Sequence, residues 1–210
     1  IRDRSSMARL LFTSRHFGSL ANPLKSESTK RLSQLIGKPI YFMNQSHGNE
    51  IAVVDEMSSP SGAVFDGDGV VTDKANVALA VQVADCLPLL LHSKNVVAAV
   101  HVGRKGLLNK VALAALDQMK AMGASQITGV VGPHICGNCY EVDPEMYSQI
   151  AKEHPATAGK NNRLNLFAGL KDQLNEIKIT DLGMCTKENP DYFSHRADAT
   201  LGRQVGVISL

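Results

Sequence analysis

Three short segments carry residues that could bind one metal ion. Within Gln-Ser-His-Gly, Ala-Asp-Cys-Leu-Pro and His-Val-Gly, the residues His47, Cys86 and His101 lie beside or close to glycine or proline. The chain has only seven histidines and four cysteines, so this placement is selective. Two imidazoles and one thiolate are a common ligand set for catalytic zinc, whose fourth position stays open. Because water at such a position becomes a nucleophile near neutral pH, the pattern predicts a catalytic metal centre.

The three candidate ligands are far apart in the sequence, so a folded sheet would have to bring them together. The ligands of a local zinc finger are more closely spaced. Simpler interpretations exist, because a buried cysteine is usually a small hydrophobic residue and a lone histidine is usually a structural one. Cys86 and His101 could also form a nucleophile–base pair, in which the imidazole activates the thiolate. The sequence does not separate a metal site from such a pair.

Charged residues could act on a substrate held at this site. Asp85 directly precedes Cys86, and its carboxylate could orient a metal-binding imidazole, accept a proton or cap a turn. Arg196 and Arg203 lie in a turn-rich C-terminal region, and arginine binds phosphate or carboxylate through two parallel hydrogen bonds. The alternative for both arginines is a solvated loop whose ion pairs contribute little.

The remaining cysteines form a less specific pattern. Cys136 and Cys139 make one C-x-x-C motif, without a second pair at zinc-ribbon spacing and without a thioredoxin-like context. We interpret them as a structural or incidental pair. His134 and Cys185 could extend a metal or redox cluster, although no spacing argument supports this.

Composition limits the class of protein. The 210 residues suffice for one domain, over 7–210, and the polar segment 1–6 is interpreted as a remnant of an expression vector. A net charge of +2 gives no case for nucleic acid as a partner. No apolar run approaches a membrane span of ~20 residues, and no secretory signal is visible, so we expect a cytoplasmic protein without a membrane partner. The cysteines are then thiols or ligands, not disulfides.

Hydrophobic periodicity predicts alternating strands and helices. Nearly continuous apolar runs between residues 76 and 102 indicate three strands that are buried on both faces. A stripe with helical spacing over 107–122 gives the clearest helix. The predicted strands are 8–14, 40–44, 51–55, 77–83, 87–92, 96–102, 127–131, 179–182 and 205–210, and the other predicted helices are 26–36, 144–152 and 164–177.

The order of the short motifs resembles that of the YfiH/YlmD family, which is also called the laccase-domain or multicopper polyphenol oxidase family and includes the human protein FAMIN. The resemblance runs from about Phe12 to Leu210. It rests on Gln45-Ser46-His47-Gly48, Asp68-Gly69-Val70-Val71-Thr72, Ala84-Asp85-Cys86-Leu87-Pro88, His101-Val102-Gly103, Gly132-Pro133-His134-Ile135, Cys139-Tyr140-Glu141-Val142, Cys185-Thr186 and the stretch from Phe193-Ser194-His195-Arg196 through Gly202-Arg203.

The resemblance implies a single-domain α/β fold, a layered sandwich of mixed β-sheets flanked by helices. It also implies zinc, with copper as the alternative, bound by His47, Cys86 and His101. Family members are described as purine nucleoside enzymes that phosphorolyse adenosine, inosine, guanosine and methylthioadenosine and that deaminate adenosine. In deamination, water on the metal would attack C6 of adenine, and Asp85 would move the proton.

For phosphorolysis, the resemblance implies nucleosides and phosphate as small-molecule partners, with Arg31, Arg196 and Arg203 as phosphate ligands. This chain departs from the family where Arg104 and Lys105 replace a Trp-Arg pair after His101. Ala197 replaces a second arginine. We therefore expect Arg104 and Lys105 to border the site and to alter its substrate preference. The alternatives are a copper-dependent polyphenol oxidase and a metal-binding protein that has lost catalysis and acts through a partner.

Overall fold

A computed structural model describes residues 8–55 and 64–210 of the protein. These residues fold into a sandwich of four layers. Two β-sheets lie face to face, and helices cover the outer face of each. This arrangement confirms the predicted α/β sandwich of mixed sheets. The segment 1–6, interpreted above as a vector remnant, lies outside the described residues. None of the helices in the described ranges has the length and apolarity needed to cross a membrane.

Eleven strands and six α-helices form the described part of the chain. The strands are β1 (Arg9–Phe12), β2 (Ile40–Asn44), β3 (Ile51–Val53), β4 (Val64–Asp66), β5 (Gly69–Thr72), β6 (Ala78–Val83), β7 (Leu87–His92), β8 (Val97–Val102), β9 (Thr128–Val131), β10 (Lys178–Asp181) and β11 (Gln204–Ser209). The helices are α1 (Glu27–Ile36), α2 (Arg104–Leu108), α3 (Val111–Ala121), α4 (Pro144–Glu153), α5 (Leu166–Gln173) and α6 (His195–Asp198).

The strand order brings distant parts of the chain together. The five-stranded sheet has the order β1-β11-β6-β2-β4, and the six-stranded sheet has the order β10-β9-β7-β8-β5-β3. Both sheets contain parallel and antiparallel pairs. In the second sheet, β8 lies between β7 and β5, so Pro88 is opposite His101 and Gly69 is opposite Val100. This pairing places the segments around Asp68, Cys86 and His101 at one end of the sandwich.

The central strands are apolar throughout because both of their faces are buried. On β6, Leu79 and Val81 pack between the two sheets, while Ala78 and Ala80 pack with Leu32 of α1. The strands of the second sheet likewise have one face between the sheets and the other against α3 and α5. Strands buried on both faces give continuous apolar runs instead of alternation. The prediction of three such strands over 77–102 is confirmed.

Several predicted elements differ from the structure. The single helix predicted over 107–122 is two helices, α2 and α3, because Lys110 has a left-handed backbone with φ of 60°. Asn109 beside it donates a hydrogen bond from Nδ2 to the backbone oxygen of His47 at 3.3 Å, which ties the break to the histidine turn. The short elements β4, β5 and α6 were not predicted. Ser26 caps α1, since its hydroxyl accepts from the Ser28 amide.

Candidate metal centre

Asp68 organises the turn that carries His47. This turn follows β2, and His47 has a left-handed backbone with φ of 64°. The buried carboxylate of Asp68 accepts hydrogen bonds from the backbone amides of His47 at 3.0 Å and Gly48 at 2.7 Å, and also from Ser46. One carboxylate therefore satisfies successive amides and holds the unfavourable turn in place.

The same carboxylate orients His101. Oδ1 of Asp68 lies 2.7 Å from Nδ1 of His101, and the two residues are 0% and 4% exposed. A carboxylate on one ring nitrogen fixes the tautomer and leaves the other nitrogen as the metal-binding one. Burial raises the pKa of Asp68, but the hydrogen bonds from His101 and the Gly48 amide lower it well below its usual value. The carboxylate is thus charged and acts as an acceptor.

The three predicted ligands meet at the end of the sandwich. The ligand atoms of His47, Cys86 and His101 all lie within 4.8 Å of one another. The two imidazole rings are 4.7 Å apart between centroids and meet edge to face at 72°. Gly103 lines the group, because a Cβ there would lie 2.9 Å from Cδ2 of His47 and 3.0 Å from Sγ of Cys86. Any side chain at this position would push into the ligand atoms.

The sulfur of this group is in the form that binds a cation, and His101 would release a proton when a metal binds. Burial raises the pKa of Cys86, but hydrogen bonds with His101 and His47 outweigh this effect and lower the pKa to about 6. Burial lowers the pKa of His101, whereas the hydrogen bonds with Asp68 and Cys86 raise it to about 9. Cys86 is therefore a thiolate at neutral pH, which is the form that binds metal. Both imidazoles contact the sulfur of Cys86, and a carboxylate holds one of the two rings. This arrangement fits a metal-ligand set better than a nucleophile–base pair.

Asp85 forms its described hydrogen bonds with hydroxyl groups and a backbone amide. Its carboxylate accepts from Oγ1 of Thr186 and Oγ of Ser194, each at 2.7 Å, and from the amide of Arg196 at 2.7 Å. These hydrogen bonds of Asp85 do not involve an imidazole, and it is Asp68 that contacts Nδ1 of His101. Asp85 instead holds the start of α6 beside the candidate metal ligands.

A cleft of about 620 Å³ opens over the candidate metal centre. His47, Cys86 and His101 form part of its wall, together with Asp85, Tyr140, Arg196 and Arg203. The Arg196 guanidinium stacks on the Tyr140 ring at 5.0 Å from its centroid and donates to the backbone oxygen of Glu141. Arg203 donates to the carbonyl of Gly202 at 2.8 Å. Two of the predicted phosphate ligands thus share a cleft with the predicted metal ligands.

The other residues predicted to contact substrate or phosphate do not line this cleft. Arg31 is exposed on α1, stacks on Phe17 at 4.9 Å and is not among the residues that line the cleft. Arg104 is half-buried and lines an adjoining cleft of about 660 Å³ that shares Tyr140 and Arg196 with the first. Burial raises the pKa of Tyr140, and the charge and hydrogen bond of Arg104 oppose this rise. Lys105 is exposed and is part of neither described lining.

Two features of this region escaped the sequence analysis. The first is the role of Asp68, which depends on the pairing of β5 with β8. The second is Glu188, which lies with three cysteines on the loops after β9 and β10 in a group that we name the thiol cluster, and its members are Cys136, Cys139, Cys185 and Glu188. Cys185 was suggested above as an extension of a metal or redox cluster, and this group contains it. Because β9 and β10 are parallel neighbours, their loops leave the same edge of the sheet. A C-x-x-C after one strand and a Cys-x-x-Glu after the next would have been the signal.

Known proteins similar to this chain agree in family and fold. Residues 24–210 match the family model for multi-copper polyphenol oxidoreductase laccase. A purine nucleoside phosphorylase of Streptomyces griseus is 40% identical over 182 residues, which cover 81% of this chain and 74% of that protein. A purine nucleoside phosphorylase of Corynebacterium glutamicum is 32% identical over 99% of this chain and 96% of its own length.

Solved structures of bacterial proteins have the same fold. A Neisseria meningitidis protein superposes with a TM-score of 0.83 at 25% identity, over 98% of this chain and 95% of that one. YfiH of Bacillus licheniformis gives a TM-score of 0.84 at 24% identity, over 99% of this chain and 94% of the other. The resemblance to the YfiH/YlmD group is thereby confirmed.

Proposed function

This chain belongs to the multi-copper polyphenol oxidoreductase laccase family, and we propose that its activity within that family is metal-dependent phosphorolysis of purine nucleosides. One observation carries the proposal: a cleft lined by His47, Cys86 and His101 is also lined by Arg196 and Arg203. A metal-ligand set beside two cations suits a reaction between an anion and a neutral substrate. The names of the Streptomyces and Corynebacterium relatives support the same reaction.

The two arginines would bind phosphate and place it for attack. In phosphorolysis an oxygen of phosphate forms a bond to C1′ of the ribose, and the bond from C1′ to the base breaks. The base leaves with the electron pair and takes up a proton. Arg196 is suited to hold the anion because Tyr140 and the Glu141 carbonyl fix its guanidinium. Arg203 lines the same cleft and would add a second charge.

The residues below the cleft would hold the metal ligands in position. Zinc, with copper as the alternative, would supply a Lewis acid that polarises a bound oxygen or nitrogen. Asp68 keeps Nδ1 of His101 occupied, so that Nε2 faces Cys86 and His47. Asp85 holds the amide of Arg196 and thereby links the metal-binding segment to the anion-binding helix. Cys86 would act as a ligand in this arrangement and not as a nucleophile.

Adenosine deamination is a second proposed activity of the same cleft. The ligand set of two imidazoles and one thiolate favours it, because zinc sets with an open position activate water. Deamination also needs a group that moves protons. Among the described residues that line the cleft, Asp85 is the one with a carboxylate. That carboxylate already accepts three hydrogen bonds. We therefore place phosphorolysis first.

Copper-dependent oxidation of phenols is a weaker proposal for this chain. That chemistry uses several copper centres with many histidine ligands. Among the described residues, the group of possible metal ligands that includes histidine has two histidines, His47 and His101. A protein that binds metal without catalysis and acts through a partner is the remaining alternative, and the presence of three candidate ligands beside Arg196 and Arg203 in one cleft argues against it.

A product assay tests these proposals together. Protein loaded with zinc or copper is incubated with adenosine, inosine or methylthioadenosine, with and without phosphate, and the products are separated by chromatography. Phosphorolysis predicts release of the free base and ribose 1-phosphate only when phosphate is present. Deamination predicts inosine from adenosine without phosphate. Base release that ignores phosphate, or oxidation of a phenol as the sole activity, would contradict the main proposal.

A further inference from the structure

The thiol cluster has the composition of a second metal site. The ligand atoms of its three cysteines and one glutamate lie within 4.8 Å of one another. We propose that the thiol cluster binds a zinc-like divalent cation in a closed structural site, separate from the candidate metal centre. The proposal does not depend on the activity proposed above. Its residues are distinct from His47, Cys86 and His101.

The donor set favours zinc in a structural role. Three thiolates and one carboxylate supply four protein ligands, which leaves no open position in a tetrahedral site. Soft thiolates select zinc over magnesium or calcium, which prefer oxygen ligands. A closed site has no coordination position for a substrate, so we expect this cation to stabilise the fold instead of reacting.

The backbone around the cluster is arranged as in a metal-binding turn. The amides of Cys139 and Tyr140 both donate to the carbonyl of Cys136, at 3.0 and 3.1 Å. This turn brings the two thiols of the C-x-x-C motif to one side. The Cys136 amide also donates to Sγ of Cys185 at 3.4 Å, so it would neutralise part of the charge on a ligating thiolate.

The fourth ligand is already in contact with a thiol. Sγ of Cys139 lies 3.1 Å from Oε1 of Glu188, and Cys185 is buried beneath them. Three thiols and a carboxylate at such short distances would repel one another once ionised, and a cation removes this repulsion. A disulfide would use two of the thiols and leave the third without a partner. A metal uses all four groups.

The proposed site would join the two loops that hold the candidate metal centre. The loop of Cys136 donates the Ile135 amide to the backbone oxygen of Asp85 at 2.9 Å. The loop of Cys185 donates Oγ1 of Thr186 to the carboxylate of the same aspartate. A parallel backbone bridge between His134 and Cys185 already joins these loops, and a cation would add a second connection that restricts them. Tyr140, which supports Arg196, directly follows the cluster residue Cys139.

Counting metal ions in matched variants tests this inference. The intact chain is expressed with zinc, purified under reducing and anaerobic conditions, and analysed by mass spectrometry of the elements. We expect about two zinc ions per chain in the wild type and about one in each of Cys86→Ala and Cys139→Ala. The double variant should hold none. The two single variants are controls for each other, because each removes one thiolate from a different site.

Cobalt substitution distinguishes the two sites without an activity assay. Cys86→Ala loaded with cobalt should keep the strong sulfur-to-cobalt charge-transfer absorption of a site with three thiolates. Cys139→Ala should lose most of it. Glu188→Gln offers a milder change, for which we expect at least tenfold weaker cobalt binding at the cluster with all thiols retained.

Chelator addition to Cys86→Ala should also lower its melting temperature, because the remaining cation is proposed to clip two loops. A Cys86→Ala chain without zinc would overturn the inference, as would a zinc content in Cys139→Ala equal to that of the wild type. A Cys136–Cys139 disulfide in freshly reduced and repurified protein, found by peptide mass mapping, would also overturn it. If Cys139→Ala does not fold, the zinc count in Cys86→Ala and the cobalt titration of Glu188→Gln still test the inference.

Discussion

The carboxylate of Asp68 lies 2.7 Å from Nδ1 of His101 and also accepts the backbone amide of His47 at 3.0 Å. One buried aspartate therefore positions both imidazoles of the candidate metal centre. Asp68 contacts the ring of His101 directly, and it holds His47 through the backbone of its turn. Removing its charge should disturb the metal site more than any other single change outside the ligands.

We predict that Asp68→Asn lowers zinc affinity by about 10- to 100-fold, as found for carboxylates that orient metal-binding histidines. An amide retains the shape of the side chain but presents one donor group to a site that needs acceptors. The measurement is a zinc competition titration with a chromophoric chelator. Asp66→Asn is the matched control, because Asp66 is exposed and pairs with Asn44. Equal affinities in the two variants would contradict the role given to Asp68.

The lowered pKa of Cys86 makes a prediction for the metal-free protein. A thiol with a pKa of about 6 is mostly thiolate at pH 7, so its alkylation rate should rise between about pH 5 and 7 and then level off. Below pH 6 protonation of the same sulfur should weaken zinc binding, since protons compete with the metal. Burial raises the pKa of Cys139, and that thiol should react appreciably only at alkaline pH.

Peptide mass mapping of chelator-treated protein after timed alkylation gives both pH profiles from one sample. Cys139 serves as the internal control, because both thiols experience the same reagent and solvent. A Cys86 profile with its midpoint near that of an ordinary thiol, about 8.5, would contradict the environment described for it.

The sequence predicted the strands well, and it singled out three candidate ligands that the fold brings together, because these signals are local. Continuous apolar runs over β6, β7 and β8 follow from burial on both faces, and His47, Cys86 and His101 are rare residue types beside turn formers. The role of Asp68 is not local. It depends on the register in which Gly69 lies opposite Val100, and a single sequence does not fix that register.

The break between α2 and α3 shows a different limit. The apolar stripe over 107–122 continues through the break, so periodicity predicts one helix. In the structure, Asn49 donates to the carbonyl of Asn109, and Asn109 donates to the carbonyl of His47. These contacts between distant residues override the local preference at Lys110. The four members of the thiol cluster were likewise separated by a helical region whose path the sequence does not show.

The phosphate site proposed at Arg196 can be tested against a second exposed arginine. We predict that Arg196→Ala raises the KM for phosphate by about 30- to 150-fold, since a hydrogen bond to a charged group contributes about 2–3 kcal/mol. Zinc content should stay unchanged, because Arg196 is not a ligand. Arg31→Ala is the control, since Arg31 stacks on Phe17 outside the cleft. Similar phosphate kinetics in both variants would place the anion elsewhere.

The last prediction concerns Arg104, which stands where the resemblance to the YfiH/YlmD family implies a tryptophan. Arg104 reaches Tyr140, on whose ring Arg196 stacks, whereas the neighbouring Lys105 is exposed. A guanidinium at this position adds charge and hydrogen-bond donors where a flat apolar ring would stack on a base. Arg104→Trp should therefore improve the KM for nucleosides severalfold relative to the KM for phosphate and shift the ratio of adenosine to inosine turnover. Lys105→Arg should leave both quantities unchanged and is the control for the same loop. If Arg104→Trp changes neither the nucleoside ratio nor the phosphate KM, the contact with Tyr140 does not shape substrate recognition.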